Sequence, residues 1–212
     1  MPLPCPSLPG MTGLASRPEL VLASASPRRR ELLASLGWSF SVVKPAIDEA
    51  FLPGEGPAEG VKRISREKAL SVAGGRPGAW VVAADTVVVA DGRILGKPED
   101  REKAFIMLKL LNGRAHHVYT GLTVASPGGL ESGFEATEVT FRKLPEKALK
   151  AYAEGGEGDD KAGAYAIQGR GALMIEAIKG DYFNVVGLPL CRLGRMMESL
   201  GFSLADQWRS SK

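Results

Sequence analysis

Apolar and β-branched residues cluster in short runs along much of the chain, which is the pattern of buried strands. Such runs occupy residues 20–23, 40–43, 80–84 and 86–90, and Asp85 separates the last two. Asp91-Gly92 then predicts a tight turn into a short returning strand through Ile94 and Leu95. Later in the chain, the same pattern predicts strands at residues 117–125, 130–141, 164–167 and 173–178.

Other segments repeat their apolar residues with the period of a helix that packs on one side. The first begins at Ser26-Pro27, where a serine N-cap precedes a proline suited to the first helical position, and ends at Gly37. The most regular is 99–111, closed by Asn112-Gly113. The remaining predicted helices are 61–73, 145–154 and a last one near 189–200.

Helices and strands are intermixed, and hairpins occur beside strand–helix units. This order predicts a mixed α/β (α+β) fold built on a mixed sheet instead of a doubly wound parallel one. Residues 1–17 hold four prolines and no period, so we expect a flexible proline-rich leader, with Met1 and Met11 both compatible as the start. Residues 18–203 are expected to form a single domain, and 204–212 a polar C-terminal tail.

Composition narrows the class of protein without naming an activity. Two cysteines, Cys5 and Cys191, exclude a disulfide framework and favour a reducing compartment, hence the cytoplasm. The longest apolar run falls short of the ~18 residues of a membrane helix, so no membrane partner is expected. A net charge of +3 on 212 residues is too small to predict nucleic-acid binding through bulk electrostatics.

The junction between the first predicted strand and helix, LASASPRRR at residues 22–30, is a candidate anion site. Free N–H groups at a helix start attract anions, and Arg28 and Arg29 supply forked donors that match phosphate oxygens. The small side chain of Ser24 would let a phosphate approach the backbone. The alternative is an ordinary capped helix with a solvated basic first turn, although three arginines there oppose the helix dipole.

Asp85 interrupts the most apolar predicted strand, in the segment Ala83-Ala84-Asp85-Thr86. A carboxylate is costly to bury there unless it is paired, bound to a metal or open to a cleft. Strand ends that face a crevice are where α/β proteins place reactive groups. The alternative is an aspartate that starts a turn, but no Gly, Pro or Asn stands beside it. The pattern therefore favours a functional carboxylate.

Three further polar positions carry a weaker signal. Lys97 and Lys161 lie in predicted loops, where single lysines are usually solvated surface charges. Gln168 has an amide that can donate to or accept from a base edge. His116 and His117 are adjacent, so on a strand they would face opposite sides, and no Cys or His cluster has the spacing of a metal site.

Taken together, five segments resemble the Maf family of nucleoside triphosphate pyrophosphatases. In family order, they are LASASPRRRELL (22–33), AADTVV (83–88), GKP (96–98), DKAGAYAIQG (160–169) and GDYFNVVGLPL (180–190). The resemblance implies an inosine-triphosphatase-like fold, with an elongated mixed sheet flanked by helices and a cleft between two lobes. It also implies metal-dependent hydrolysis between the α and β phosphates, giving the monophosphate and pyrophosphate.

The resemblance further implies roles for individual residues. Asp85 matches the family's catalytic carboxylate, and Glu49 matches an acidic position near the metal and phosphates, so the pair is expected to hold Mg²⁺ or Mn²⁺. Which of the two is ligand and which is base stays open. The substrate-binding positions are Ser24, Arg28, Arg29, Lys68, Thr86, Lys97, Lys161 and Gln168. Of these, the specificity set that looks like the dTTP/UTP type is Arg28, Thr86 and Gln168.

The expected activity is therefore housekeeping hydrolysis of dTTP, UTP or modified pyrimidine nucleotides, by an enzyme that, like many family members, could be a homodimer. One departure from the family pattern is Ala166, where glycine is common and where a methyl group would narrow the base pocket. The alternatives are a 7-methyl-GTP pyrophosphatase, a nucleotide-binding regulator of cell division or septum formation without turnover, and a nucleic-acid-binding domain using residues 28–30.

Overall fold

The computed structural model describes residues 18–209, and its centre is one mixed sheet. Its strands are β1 (Leu20–Ala23), β2 (Ser41–Val43), β3 (Trp80–Ala90), β4 (Arg93–Leu95), β5 (Ala115–Ser126), β6 (Gly129–Phe141) and β7 (Ile175–Lys179). They lie in the order β2-β1-β3-β5-β6-β7, with β4 paired to β3. β1 is parallel to β2 and β3, and the other pairs are antiparallel, so the predicted mixed sheet is confirmed.

Helices cover both faces of the sheet. They are α1 (Pro27–Ser35), α2 (Pro57–Ala73), α3 (Arg101–Leu111), α4 (Glu146–Glu154), α5 (Tyr182–Val186), α6 (Leu190–Ser199) and α7 (Leu204–Arg209). Ser26 caps α1 as predicted, because its hydroxyl accepts from the backbone N–H of Arg29. α2 begins four residues before the predicted start, since Pro57 takes its first turn.

Alternation along β3 distributes its side chains among three cores. Val81 and Ala83 pack against α2 on one face. On the other face, Val82 and Ala84 belong to a core with α1 and α6, and Val88 belongs to a second core with α3 and α4. The two cores on this second face form two lobes, and the middle of β3 lies between them.

The edge of β3 is open at this same place. β1 pairs with β3 from Leu20 to Leu22, opposite Trp80–Val82, and β4 pairs with it opposite Val88–Ala90. No strand of residues 18–209 pairs with residues 83–87 on this edge. A cleft between the lobes therefore reaches both faces of the sheet around the free edge of β3.

Two predicted strands differ in the structure. Residues 164–167 were expected as a strand, but Gly163 and Ala164 have positive φ angles of 70° and 60°, which end any extended run. Tyr165 is instead buried against Phe141 and His116. The strand expected at 173–178 starts only at Ile175, after a 3₁₀ turn at Gly169–Met174.

The structure describes only part of the two chain ends. The leader expected at residues 1–17 lies outside the described residues, as do positions 210–212. The segment expected as a polar tail contains α7, and α5 is a short helix that the pattern did not predict. Among residues 18–209, no helix is long and apolar enough to cross a membrane.

Candidate active site

The cleft at the free edge of β3 has a volume of about 640 Å³ and is lined by every residue that the sequence nominated. These residues are Ser24, Arg28, Arg29, Glu49, Lys68, Asp85, Thr86, Lys97, Lys161 and Gln168. They come from the end of β1, the start of α1, the loop before α2, α2 itself, the middle of β3, and the loops after β4 and α4. The fold therefore brings together positions that are up to 144 residues apart in sequence.

Asp85 and Glu49 meet around one buried ammonium group. Lys68 Nζ lies 2.7 Å from Asp85 Oδ1 and 2.7 Å from Glu49 Oε2. The Lys68 side chain is 4% exposed and Asp85 is similarly buried, whereas Glu49 is open to the cleft. A buried lysine is stable only when paired, so Lys68 requires these carboxylates and holds them side by side.

The loop that carries Glu49 is tied to α2 by Arg63, a residue that the sequence did not nominate. The Arg63 guanidinium donates to both carboxylate oxygens of Glu55, at 2.7 and 2.8 Å, and to the carbonyl oxygen of Ala50 at 2.9 Å. The bonds from Arg63, together with one from the Leu52 N–H, lower the pKa of Glu55 to about 2. The loop thereby places Glu49 beside Lys68, which lies on the same helix as Arg63.

Arg29 crosses from α1 to the floor of the cleft. Its Nε donates to the Gly187 carbonyl at 2.8 Å, and its two terminal nitrogens donate to Thr86 Oγ1 at 2.9 Å and to Ser24 Oγ at 3.3 Å. Burial lowers the pKa of Arg29, and the nearby Asp85 and Glu49 carboxylates oppose that shift. These three hydrogen bonds hold the positively charged Arg29 guanidinium in a fixed position between the two lobes.

Arg28 and Lys161 are joined across the cleft by Asp160. Arg28 Nη1 lies 3.0 Å from Asp160 Oδ2, and Lys161 Nζ lies 2.6 Å from Asp160 Oδ1. Partial burial raises the pKa of Asp160, but these two cations outweigh it and lower that pKa overall. Two cations thus lie close together in the lining of the cleft, and Lys97, which is exposed, also lines it.

Gln168 is presented by a segment that three anchors hold. The Ala166 N–H donates to Tyr152 Oη at 3.1 Å, and Glu157 accepts from the N–H groups of Arg170 and Gly171. Behind the segment, Tyr165 Oη and His116 Nε2 are 2.8 Å apart.

The two adjacent histidines face opposite sides of β5, as expected: His116 is buried and His117 is exposed. Burial lowers the pKa of His116 to about 4, so its ring is neutral near neutral pH. It therefore supports the Gln168 segment through a neutral hydrogen bond and packing.

The donors present suit a magnesium or manganese ion that is shared with a substrate. Within residues 18–209, no three His, Cys, Asp or Glu side chains are grouped closely enough to hold a metal by themselves. Mg²⁺ is usually bound by one or two carboxylates together with waters and substrate phosphates. Each of Glu49 and Asp85 uses one oxygen on Lys68, which leaves the other oxygen of each for such an ion.

Comparison with known proteins places the chain in a family. Residues 19–200 match the family model described as "Maf-like protein". A protein of Thermoanaerobacter sp. (strain X514) named "dTTP/UTP pyrophosphatase" is 51% identical over 178 residues, which are 82% of this chain and 93% of that protein. A protein of Moorella thermoacetica with the same name is 50% identical over 192 residues, covering 90% and 97%.

A solved structure, a "Nucleoside-triphosphatase / dITP/XTP pyrophosphatase" from Mycobacterium abscessus, covers 87% of this chain and 98% of its own. Its TM-score is 0.40 at 15% identity, a similarity too loose to inform the site. The family match and the close relatives are decisive without it. They confirm the resemblance seen in the five motifs, and the chain belongs to the Maf family.

Proposed function

We propose that this protein hydrolyses the α–β phosphate bond of UTP and dTTP, releasing the nucleoside monophosphate and pyrophosphate. The observation that carries the proposal is the pair of carboxylates, Asp85 and Glu49, held on the buried ammonium of Lys68 in a cleft that is also lined by Arg28, Lys97 and Lys161. The names of close relatives, "dTTP/UTP pyrophosphatase", support the same substrates. A cytoplasmic location and a homodimer belong to the proposal as family expectations.

In this scheme, the positive groups of the cleft bind the triphosphate. A nucleoside triphosphate carries about four negative charges, and fixed cations stabilise both the bound ion and the charge that develops on the leaving pyrophosphate. Ser24 offers a hydroxyl to phosphate oxygens, and the first turn of α1 offers the N–H of Arg28 at the positive end of the helix dipole. Arg28 and Lys161 must exchange Asp160 for phosphate when the substrate enters.

The carboxylates supply the base. Asp85 accepts a proton from a water molecule as the water oxygen bonds to the α phosphorus and the bond from that phosphorus to the bridging oxygen breaks. Glu49 and Asp85 would hold Mg²⁺ or Mn²⁺, which supplies charge stabilisation and a more acidic bound water. Lys68 orients Asp85 through their 2.7 Å contact.

Base selectivity is assigned to Thr86 and Gln168, on the opposite side of the β3 edge from Asp85. Both line the cleft and carry groups that hydrogen-bond the edge of a pyrimidine. A pocket of such groups rejects a base whose donors and acceptors do not match, since mismatched groups stay unpaired. Ala166, buried in the same wall, leaves less room there than the family's usual glycine.

The test is a nucleotide panel in which pyrophosphate release is measured with UTP, dTTP, CTP, GTP and 7-methyl-GTP in the presence of Mg²⁺. We expect UTP and dTTP to exceed the purine nucleotides in kcat/KM by about 100-fold or more. A preference for 7-methyl-GTP would contradict the pyrimidine assignment. Tight binding of UTP without any product would instead indicate the nucleotide-binding regulator.

A further inference from the structure

A chain of hydroxyl groups runs from the cleft into the polar layer between the two lobes. Thr86 Oγ1 lies 2.9 Å from Thr120 Oγ1, and Thr120 Oγ1 lies 2.9 Å from the carbonyl oxygen of Asn184. Thr120 and Asn184 are fully buried, while Thr86 is partly exposed and lines the cleft. Thr120 does not line the cleft, so it can act on a substrate only through Thr86.

The main-chain carbonyl oxygen of Asn184, at the buried end of this series of hydrogen bonds, determines which hydroxyl donates in each bond. A carbonyl oxygen only accepts, so the single hydroxyl proton of Thr120 is given to Asn184. Thr120 must then accept from Thr86, whose own proton is used in that bond. Thr86 also accepts from Arg29 at 2.9 Å. A hydroxyl has one proton and two lone pairs, so Thr86 retains one lone pair and no proton for the cleft.

The main-chain carbonyl of Asn184, which accepts from Thr120, is held in place by the Asn184 side chain. Asn184 Nδ2 donates to the Val118 carbonyl at 3.0 Å and to Thr137 Oγ1 at 2.9 Å, which fastens α5 to β5 and β6. Gly187 has no side chain that could cover Thr86 Oγ1, whereas a Cβ at position 187 would lie 3.5 Å from that oxygen. The acceptor that Thr86 presents is therefore both oriented and accessible.

We propose that Thr120 is a positioning residue that makes Thr86 a pure hydrogen-bond acceptor and thereby selects bases with a ring N–H donor. Uracil and thymine carry a proton on N3, whereas N3 of cytosine carries a lone pair. The Thr86 lone pair accepts the N3 proton of UTP or dTTP and is repelled by N3 of CTP. This inference rests on the proposed function, and it names the group that separates uracil from cytosine.

The variant that tests it is Thr120→Val, which removes the acceptor for the Thr86 proton and lets that hydroxyl donate to the cleft. The ratio of kcat/KM for UTP to that for CTP should fall about tenfold. Thr120→Ser keeps the hydroxyl and should restore the ratio. Thr123→Val is the matched control, because Thr123 is also buried and bonded on β5 but contacts Ser65 and Ser132 on the other face. Its ratio should match the wild type.

A second measurement needs no variant and so does not depend on how Thr120→Val folds. The unmodified protein should hydrolyse 3-methyl-UTP, which lacks the N3 proton, at least about tenfold less well than 5-methyl-UTP, which keeps it. Equal rates for the two analogues, or an unchanged UTP-to-CTP ratio in folded Thr120→Val, would overturn the role of Thr120. Absence of turnover with every nucleotide would overturn the proposed function itself, which is a different result.

Discussion

Asp85→Asn should lower the rate of UTP hydrolysis by at least about 100-fold and leave folding intact. Removal of a general base costs about 10²–10⁴ in rate, and the amide has nearly the same volume as the carboxylate. An Asn oxygen can still accept from Lys68, and Glu49 still pairs that ammonium, so no buried charge is left alone. Pyrophosphate release at saturating UTP measures the loss, and the unfolding midpoint checks the fold.

Asp91→Asn is the matched control for that experiment. Asp91 lies at the turn after β3, is exposed, and pairs with Arg114 away from the cleft. Asparagine tolerates the positive φ of 47° at this position. Its turnover should equal the wild type, whereas turnover of Asp85→Asn within about twofold of wild type would remove Asp85 from the chemistry.

Gly121→Ala should damage both stability and activity, because α2 lies directly on this glycine. A Cβ at Gly121 would be 2.0 Å from the carbonyl oxygen of Val61 and 2.2 Å from its carbonyl carbon. The backbone of α2 would have to move, at a cost of about 3 kcal/mol in the free energy of unfolding. Lys68, seven residues further along that helix, would move relative to Asp85, which pairs with Gly121 in the sheet.

Thermal unfolding and UTP turnover together measure this effect. We expect a fall of about 10 °C in Tm for Gly121→Ala, with a reduced kcat at temperatures where the variant stays folded. Gly75→Ala is the control, since its nearest neighbour would be the Val72 carbonyl at 3.9 Å, and its Tm should stay within about 2 °C. An unchanged Tm for Gly121→Ala would mean that α2 does not approach β5 so closely.

The hydrophobic pattern was enough to predict most of the elements, because the strands and helices bury regular apolar faces. It failed at residues 164–167, where an apolar run sits beside positive φ angles and Tyr165 packs against His116 and Phe141. Those partners come from β5 and β6, so no local pattern contains them. The early start of α2 had a local signal in Gly56-Pro57 that periodicity alone does not use.

The candidate site likewise contains residues that could be identified from the sequence and residues that could not. Asp85 and the arginines of α1 could be nominated from the residues alone, since each breaks a local rule of burial or charge. Glu49 came only from the family resemblance, because its place depends on Arg63 and Glu55. Asp160 belongs to one of the five motifs, but its role could not be predicted from the sequence, because its partner Arg28 lies 132 residues away. Thr120 has no distinguishing sequence signal, because its role depends on its hydrogen bonds to Thr86 and Asn184.

In the proposed reaction, water attacks the α phosphorus of a pyrimidine nucleoside triphosphate bound in this cleft. Hydrolysis of UTP in H₂¹⁸O with Mg²⁺, followed by mass spectrometry of the products, tests it most directly. The expected products are UMP and pyrophosphate, with the ¹⁸O in UMP. UDP and inorganic phosphate, or ¹⁸O carried by the pyrophosphate, would contradict it.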